Sequence, residues 1–91
     1  MKFDWNPDKA AANVKNHPGV TFEEACEVFD DDYAVVEVDV AHSIGEQRYR
    51  IIGASSQRLL FVVYTEREGD VTWIISAREV KPHEKERYYE A

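Results

Sequence analysis

One cysteine, three prolines and four glycines among 91 residues leave the chain few ways to staple or sharply bend itself. Cys26 has no second cysteine to pair with, so no disulfide closes within the chain and no Cys-x-x-Cys pair can hold a metal or run a redox cycle. Its place on the apolar stripe of a helix marks it as a small core thiol rather than a reactive one. His17, His42 and His83 are widely spaced, and Asp30-Asp31-Asp32 lacks the glycine and distal glutamate of a calcium loop. No metal and no cofactor is therefore expected. There is no glycine-rich loop to cradle phosphates, and Ser55, Ser56 and Ser76 sit in no nucleophile elbow. No apolar run approaches the roughly 18–20 residues needed to cross a bilayer. The opening Met1-Lys2-Phe3-Asp4-Trp5 carries no hydrophobic signal region, so no membrane partner is expected and the reducing cytoplasm is the expected location. Without Gly/Ser linkers, repeats or low-complexity tracts, residues 1–91 read as a single domain.

Cations are scarce in the first half. Residues 1–46 hold three lysines against eleven carboxylates, whereas residues 47–91 hold eight cations against seven, including all six arginines. The net charge of −7 makes a poor general nucleic-acid binder, because phosphate attraction is the sequence-independent part of that affinity. Any anion must be handled locally, by the arginines of the second half.

What is present is a change of hydrophobic period. Phe3-Asp4-Trp5 alternates like a short edge strand. Asn6-Pro7 opens a helix with Ala10, Ala11 and Val14 on its apolar stripe, and His17-Pro18-Gly19 stops it. Thr21-Phe22-Glu23-Glu24 is a capping box, with Phe22, Ala25, Cys26 and Phe29 on one helical face. Asp30-Asp31-Asp32 then reads as a solvated acidic loop. From Val36 the period is two: Val36, Val38 and Val40 alternate with Glu37 and Asp39, predicting a strand with one wet face. Strands follow over Gln47–Ile52, over the doubly apolar and hence central Leu59–Tyr64, and over Val71–Arg78, with tight turns at Ser55-Ser56-Gln57 and Glu68-Gly69-Asp70. Pro82 opens a last helix. The expected fold class is α+β: a short N-terminal strand, two helices packed on a four-stranded antiparallel sheet, and a C-terminal helix.

Chemistry is left to arginines on a sheet. Arg48, Arg67 and Arg78 come from three consecutive strands, and a meander can bring their planar forks together around phosphate oxygens. Glu46, Glu66 and His42 lie near them in sequence and can move protons. The alternative for the same residues is ordinary cross-strand salt bridging.

A series of blocks runs through the chain: Phe3-Asp4-Trp5-Asn6-Pro7-Asp8-Lys9-Ala10-Ala11-Ala12-Asn13, then His17, Gly19-Val20-Thr21-Phe22-Glu23-Glu24-Ala25 and Val28-Phe29-Asp30-Asp31. Gly45-Glu46-Gln47-Arg48-Tyr49, Ile52-Gly53, Val63-Tyr64-Thr65-Glu66-Arg67, Ile74-Ile75-Ser76-Ala77-Arg78, His83-Glu84 and Arg87-Tyr88-Tyr89-Glu90 follow. In that order they give the chain a resemblance to the BrnT toxins nearly end to end. The resemblance implies a RelE-like fold and a type II toxin that cleaves RNA, without a metal, to block translation. It also implies a BrnA-type ribbon-helix-helix antitoxin, through which alone the toxin would reach operator DNA to repress its own operon. The roles implied are phosphate binding and transition-state stabilisation by Arg67 and Arg78, with Arg48 as third cation. Glu46 or His42 would be the base, Lys9 or His17 a further phosphate contact or the acid, and Tyr88 a packing residue or a base-stacking RNA contact. The acidic total suggests RNA presented by the ribosome, or weak intrinsic activity. The competing expectations are a binding module that keeps the toxin fold without nuclease activity, and a structural subunit whose arginines only form salt bridges.

Overall fold

The computed structural model describes residues 1–90. In chain order it contains β1 (Lys2–Trp5), α1 (Pro7–Asn16), α2 (Phe22–Glu27), β2 (Val35–Val38), β3 (Arg48–Ala54), β4 (Leu59–Arg67), β5 (Val71–Glu79) and α3 (Pro82–Glu90). Short 3-10 turns follow α2 at Val28–Asp30 and β2 at Val40–His42. The α+β class is as expected, but the sheet has five strands and is mixed. Its order is β1-β5-β4-β3-β2, and β1 joins it by pairing parallel to β5. β4, the strand apolar on both faces, is the central one. A parallel partner distant in sequence leaves no local signature, which is why β1 read only as a lone edge strand.

Local chemistry fixes the helix starts. The Asn6 Oδ1 accepts from the backbone N–H of Asp8 and Lys9 at 2.9 and 3.2 Å, and the Thr21 Oγ1 accepts from that of Glu24 at 3.0 Å. The reciprocal half of the capping box is not made. The Glu24 carboxylate instead takes the Arg58 guanidinium at 2.7 and 3.0 Å and the Ser55 hydroxyl at 2.7 Å, partners over thirty residues away.

The core lies between one face of the sheet and the first two helices. Val20, Phe22, Ala25 and Val28 pack against Ile51, Leu60, Val62, Tyr64, Ile74 and Ala77. Two expectations about faces are corrected here. α1 docks through Asn13, which is buried, while Val14 is 39% exposed and Ala11 is also exposed. β1 stops at Trp5 opposite Ile74, so Ala77 further along β5 has no strand on that side. The Asn13 carboxamide takes its place, donating to the Ala77 and Val20 carbonyls at 2.8 and 3.1 Å and accepting from the Ala77 N–H at 3.2 Å. On β2 the alternation is inverted. Val36 and Val38 lie beyond the reach of the helices at the sheet edge and are 54% and 42% exposed, and Val40 just after it is also exposed. Asp39 is buried, and Glu37 is held by Arg50 and Arg87 at 3.1 and 3.0 Å.

Nor is the triple aspartate uniformly solvated. The Asp31 carboxylate accepts from the backbone N–H of Ala54 and Tyr33 and from the Tyr88 hydroxyl, tying the end of the second helical segment to β3 and α3. Asp30 and Asp32 remain exposed.

Candidate active site: an arginine-lined groove on the sheet face opposite the first two helices

The strand register puts the arginines on the face opposite the helical core. Arg48 lies opposite Thr65, Arg50 opposite Val63 and Phe61 opposite Arg78, while Tyr49, Ile51 and Val62 point the other way. Between β4 and β5 the register slips: Val63 pairs with Ser76 but Tyr64 pairs with Ile74, leaving Ile75 as an extra residue. This bulge carries Ile75 into the middle of three adjoining hollows, all of which it lines.

The first hollow, about 210 Å³, is walled by Asn6, Lys9, Glu46, Arg48, Arg67, Trp73 and Ile75. The second, about 390 Å³, is walled by Asp39, His42, Arg48, Arg50, Phe61, Val63, Ile75, Ser76 and Arg78. The third, about 230 Å³, runs along α1 past Lys9, Asn13, Asn16 and His17 to Ser76. Seven residues singled out from the sequence, Arg48, Arg67, Arg78, Glu46, His42, Lys9 and His17, thus line one continuous groove. Arg67 and Arg78 share no hollow with each other; Arg48 shares one with each.

The three cations differ in how far they are already neutralised. Arg78 is bonded twice to the buried Glu84 of α3, at 2.8 and 2.8 Å, and lies 4.1 Å over the Phe61 ring. Burial pushes the Glu84 carboxyl up, but the bonds from Arg78 and from the Lys81 N–H outweigh it and hold the group below the ordinary glutamate range. Arg67 lies 4.0 Å over Trp73, with Glu46 at 3.7 Å, a loose and half-exposed pair. Arg48 forms no ion pair among the described residues, and its Nε is buried without an acceptor. His42 is held differently again. Its Nδ1 lies 3.0 Å from both carboxylate oxygens of Asp39, leaving the rest of a largely exposed ring toward solvent.

Tyr88 does not join the groove. Its hydroxyl donates to Asp31 at 2.6 Å, and that bond, with burial adding to it, pushes the phenol up to about 12. It lines a larger hollow of about 670 Å³ beside Ser55, Arg58, Lys85 and Tyr89. The guanidinium there is committed to Glu24, Glu79 and the Gly19 carbonyl, which leaves it little capacity for a ligand. Cys26 lies outside the groove as well, its thiol pushed up to about 11 by burial and then by Glu23. Among the described residues no group of three or more His, Cys, Asp or Glu side chains is arranged to hold a metal ion. No helix among them is long and apolar enough to cross a membrane.

Sequence reasoning missed Asp39, Arg50, Trp73, Ile75 and Ser76 as groove residues. The i,i+3 spacing of Asp39 and His42 and the shared parity of Arg48 and Arg50 were readable signals. The bulge that brings in Ile75 was not, since nothing in a run of apolar residues announces an extra one.

The family model described as the ribonuclease toxin BrnT of type II toxin-antitoxin systems matches residues 5–84. The chain belongs to the BrnT family. The matched segment contains every groove residue named above and excludes Tyr88. Among curated proteins no match is found. Among solved structures, the 1.1 Å crystal structure of the Brucella abortus ribonuclease toxin BrnT is similar, with a TM-score of 0.69 and 21% identity. The alignment covers 89% of this chain and 97% of the Brucella chain. At that identity the likeness shows the fold alone.

Proposed function

We propose that this BrnT-family toxin is a metal-independent endoribonuclease of the cytoplasm, cleaving RNA to halt translation. The observation that carries the reading is Arg48. It lines two hollows, and among the described residues its guanidinium forms no ion pair and no hydrogen bond. A phosphodiester supplies the oxygens such a fork lacks.

RNA cleavage of this kind needs only proton transfer and charge stabilisation. The 2′-hydroxyl gives its proton to a base, its oxygen attacks the adjacent phosphorus, and the P–O5′ bond breaks as an acid protonates O5′. The products are a 2′,3′-cyclic phosphate and a 5′-hydroxyl. In our reading His42 is the base, because its ring is held by Asp39 in the hollow that Arg48 shares with Arg78, while Glu46, which shares the other hollow with Arg48, lies beside Arg67. Arg48 and Arg67 hold the non-bridging oxygens as charge develops, and Arg78 supplies fixed positive charge beside them. Lys9 or His17, along the third hollow, delivers the proton to the leaving oxygen. A net charge of −7 weakens long-range attraction for naked RNA and favours RNA presented by the ribosome.

Membership of a toxin-antitoxin family supports an antitoxin partner. We assign it to the BrnA type, a small ribbon-helix-helix protein that neutralises the toxin and carries it to operator DNA. A non-catalytic module that keeps this antitoxin interface is the competing reading, favoured by the double bond pair that ties Arg78 to Glu84. Expression decides between them. Induction of the intact chain alone is expected to arrest growth, Arg67→Ala to relieve the arrest, and co-expression of a BrnA-type ribbon-helix-helix protein to restore growth while co-purifying. Normal growth with the intact chain at high level overturns the nuclease reading in favour of the binding module.

A further inference from the structure

We infer that Asp39 is a positioning residue for His42, so that the base of the cleavage reaction is an Asp–His pair rather than a lone histidine. This rests on the reading of the groove as a ribonuclease site with His42 as its base. Asp39 ends the β2–β3 pairing: its N–H donates to the Arg48 carbonyl at 2.8 Å. The chain then makes a 3-10 turn that brings His42 back over it, three residues on. The Asp39 side chain is 9% exposed while the imidazole is 70% exposed, so a nearly buried carboxylate holds a ring that faces the groove.

The turn is pinned to the central cation. The Ser43 hydroxyl donates to the Asp39 carbonyl at 2.6 Å and accepts from the Arg48 N–H at 2.9 Å. One hydroxyl therefore locks the Asp–His turn to the strand residue whose guanidinium is unpaired. An acid residue buried for packing alone would have no reason to sit where both its oxygens reach one ring nitrogen.

The consequence for proton transfer is specific. An ionised carboxylate is only an acceptor, so the Nδ1 within its reach must carry the hydrogen. That leaves the Nε2 lone pair as the basic site, directed away from Asp39. When Nε2 takes the 2′-hydroxyl proton, the ring becomes a cation beside Arg48, Arg50 and Arg78, which line the same hollow. Among the described residues Asp39 is the one acid lining that hollow to offset them, and it does so without itself being protonated.

The test combines kinetics with NMR on the purified full chain, using single-stranded RNA. Asp39→Asn is expected to lower kcat by about 10²-fold or more, with KM changed by less than about threefold. His42→Ala should do the same, and the double variant should be no slower than His42→Ala alone, because the two side chains act as one unit. Nitrogen-15 shifts of the wild-type protein should show neutral His42 as the Nδ1–H tautomer, a measurement that does not depend on any variant folding. An Nε2–H tautomer overturns the proposal. So does an additive double variant, or wild-type turnover by a folded Asp39→Asn protein. Loss of turnover in Asp39→Asn with full activity in His42→Ala overturns it too. A wild-type chain that cleaves no RNA overturns the underlying nuclease reading instead, and the tautomer measurement still reports on the pair.

Discussion

Glu24 shows how a single residue can be legible and still misread. Its position three residues after Thr21 marks a helix start, and the Thr21 cap forms. Its carboxylate, 5% exposed, turns instead to Arg58, whose bonds hold it below the ordinary glutamate value of 4.5 despite the opposing effect of burial. A depressed carboxyl stabilises the fold fully above its unfolded value and loses that contribution as pH falls through the folded one. Glu84 behaves in the same sense. Urea unfolding should therefore give a stability that is nearly flat from pH 7 to 5 and drops steadily below 4.5. Glu24→Gln should cost about 2 kcal/mol at pH 7, the worth of a charge-assisted hydrogen bond, and flatten the acid decline. An acid profile identical to wild type would show that the ion pair contributes nothing. Local spacing exposed the cap because its partners are three residues apart. Arg58, thirty-four residues on, was out of range of any pattern.

At the scale of elements, sequence periodicity identified the strands and helices but not always their faces. The 3.6 and 2.0 repeats depend on which neighbour covers which side, and at the sheet edge no neighbour covers the Val36 and Val38 side. Where a helix does pack, the tolerance is small. A Cβ on Gly53 of β3 would lie 3.0 Å from the Val28 Cβ, 3.1 Å from the Val28 carbonyl oxygen and 3.2 Å from the Ala34 Cβ. That glycine lets the 3-10 turn after α2 lie directly on the sheet. Gly53→Ala should destabilise the protein by about 1–3 kcal/mol through overpacking, read from thermal or urea unfolding. An unchanged midpoint would mean that the turn moves away at no cost. The β5 bulge belongs to this scale too. It is the element-level feature that builds the groove, and it could be found only in three dimensions.

Across the whole molecule, charge is divided by face as well as by half. Exposed Glu23, Glu27, Asp30 and Asp32 lie on the helical side and its edge, while Arg48, Arg50, Arg67 and Arg78 share the opposite face of the sheet. The concentration of arginine in residues 47–91 was plain in the sequence, and so was the fold class; which arginine stands unpaired was not. Pairing depends on Glu46, Glu84 and Glu37 arriving from a loop, from α3 and from β2. Metal-free cleavage therefore depends most on Arg48, and the most direct test is single-turnover cleavage of single-stranded RNA by the purified chain in the presence of EDTA. Wild type should cleave at the same rate with and without the chelator, and a folded Arg48→Ala protein should be slower by about 10²–10³-fold. Equal rates for the two proteins would contradict phosphate binding by Arg48, and cleavage that vanishes with EDTA would contradict a metal-independent reaction.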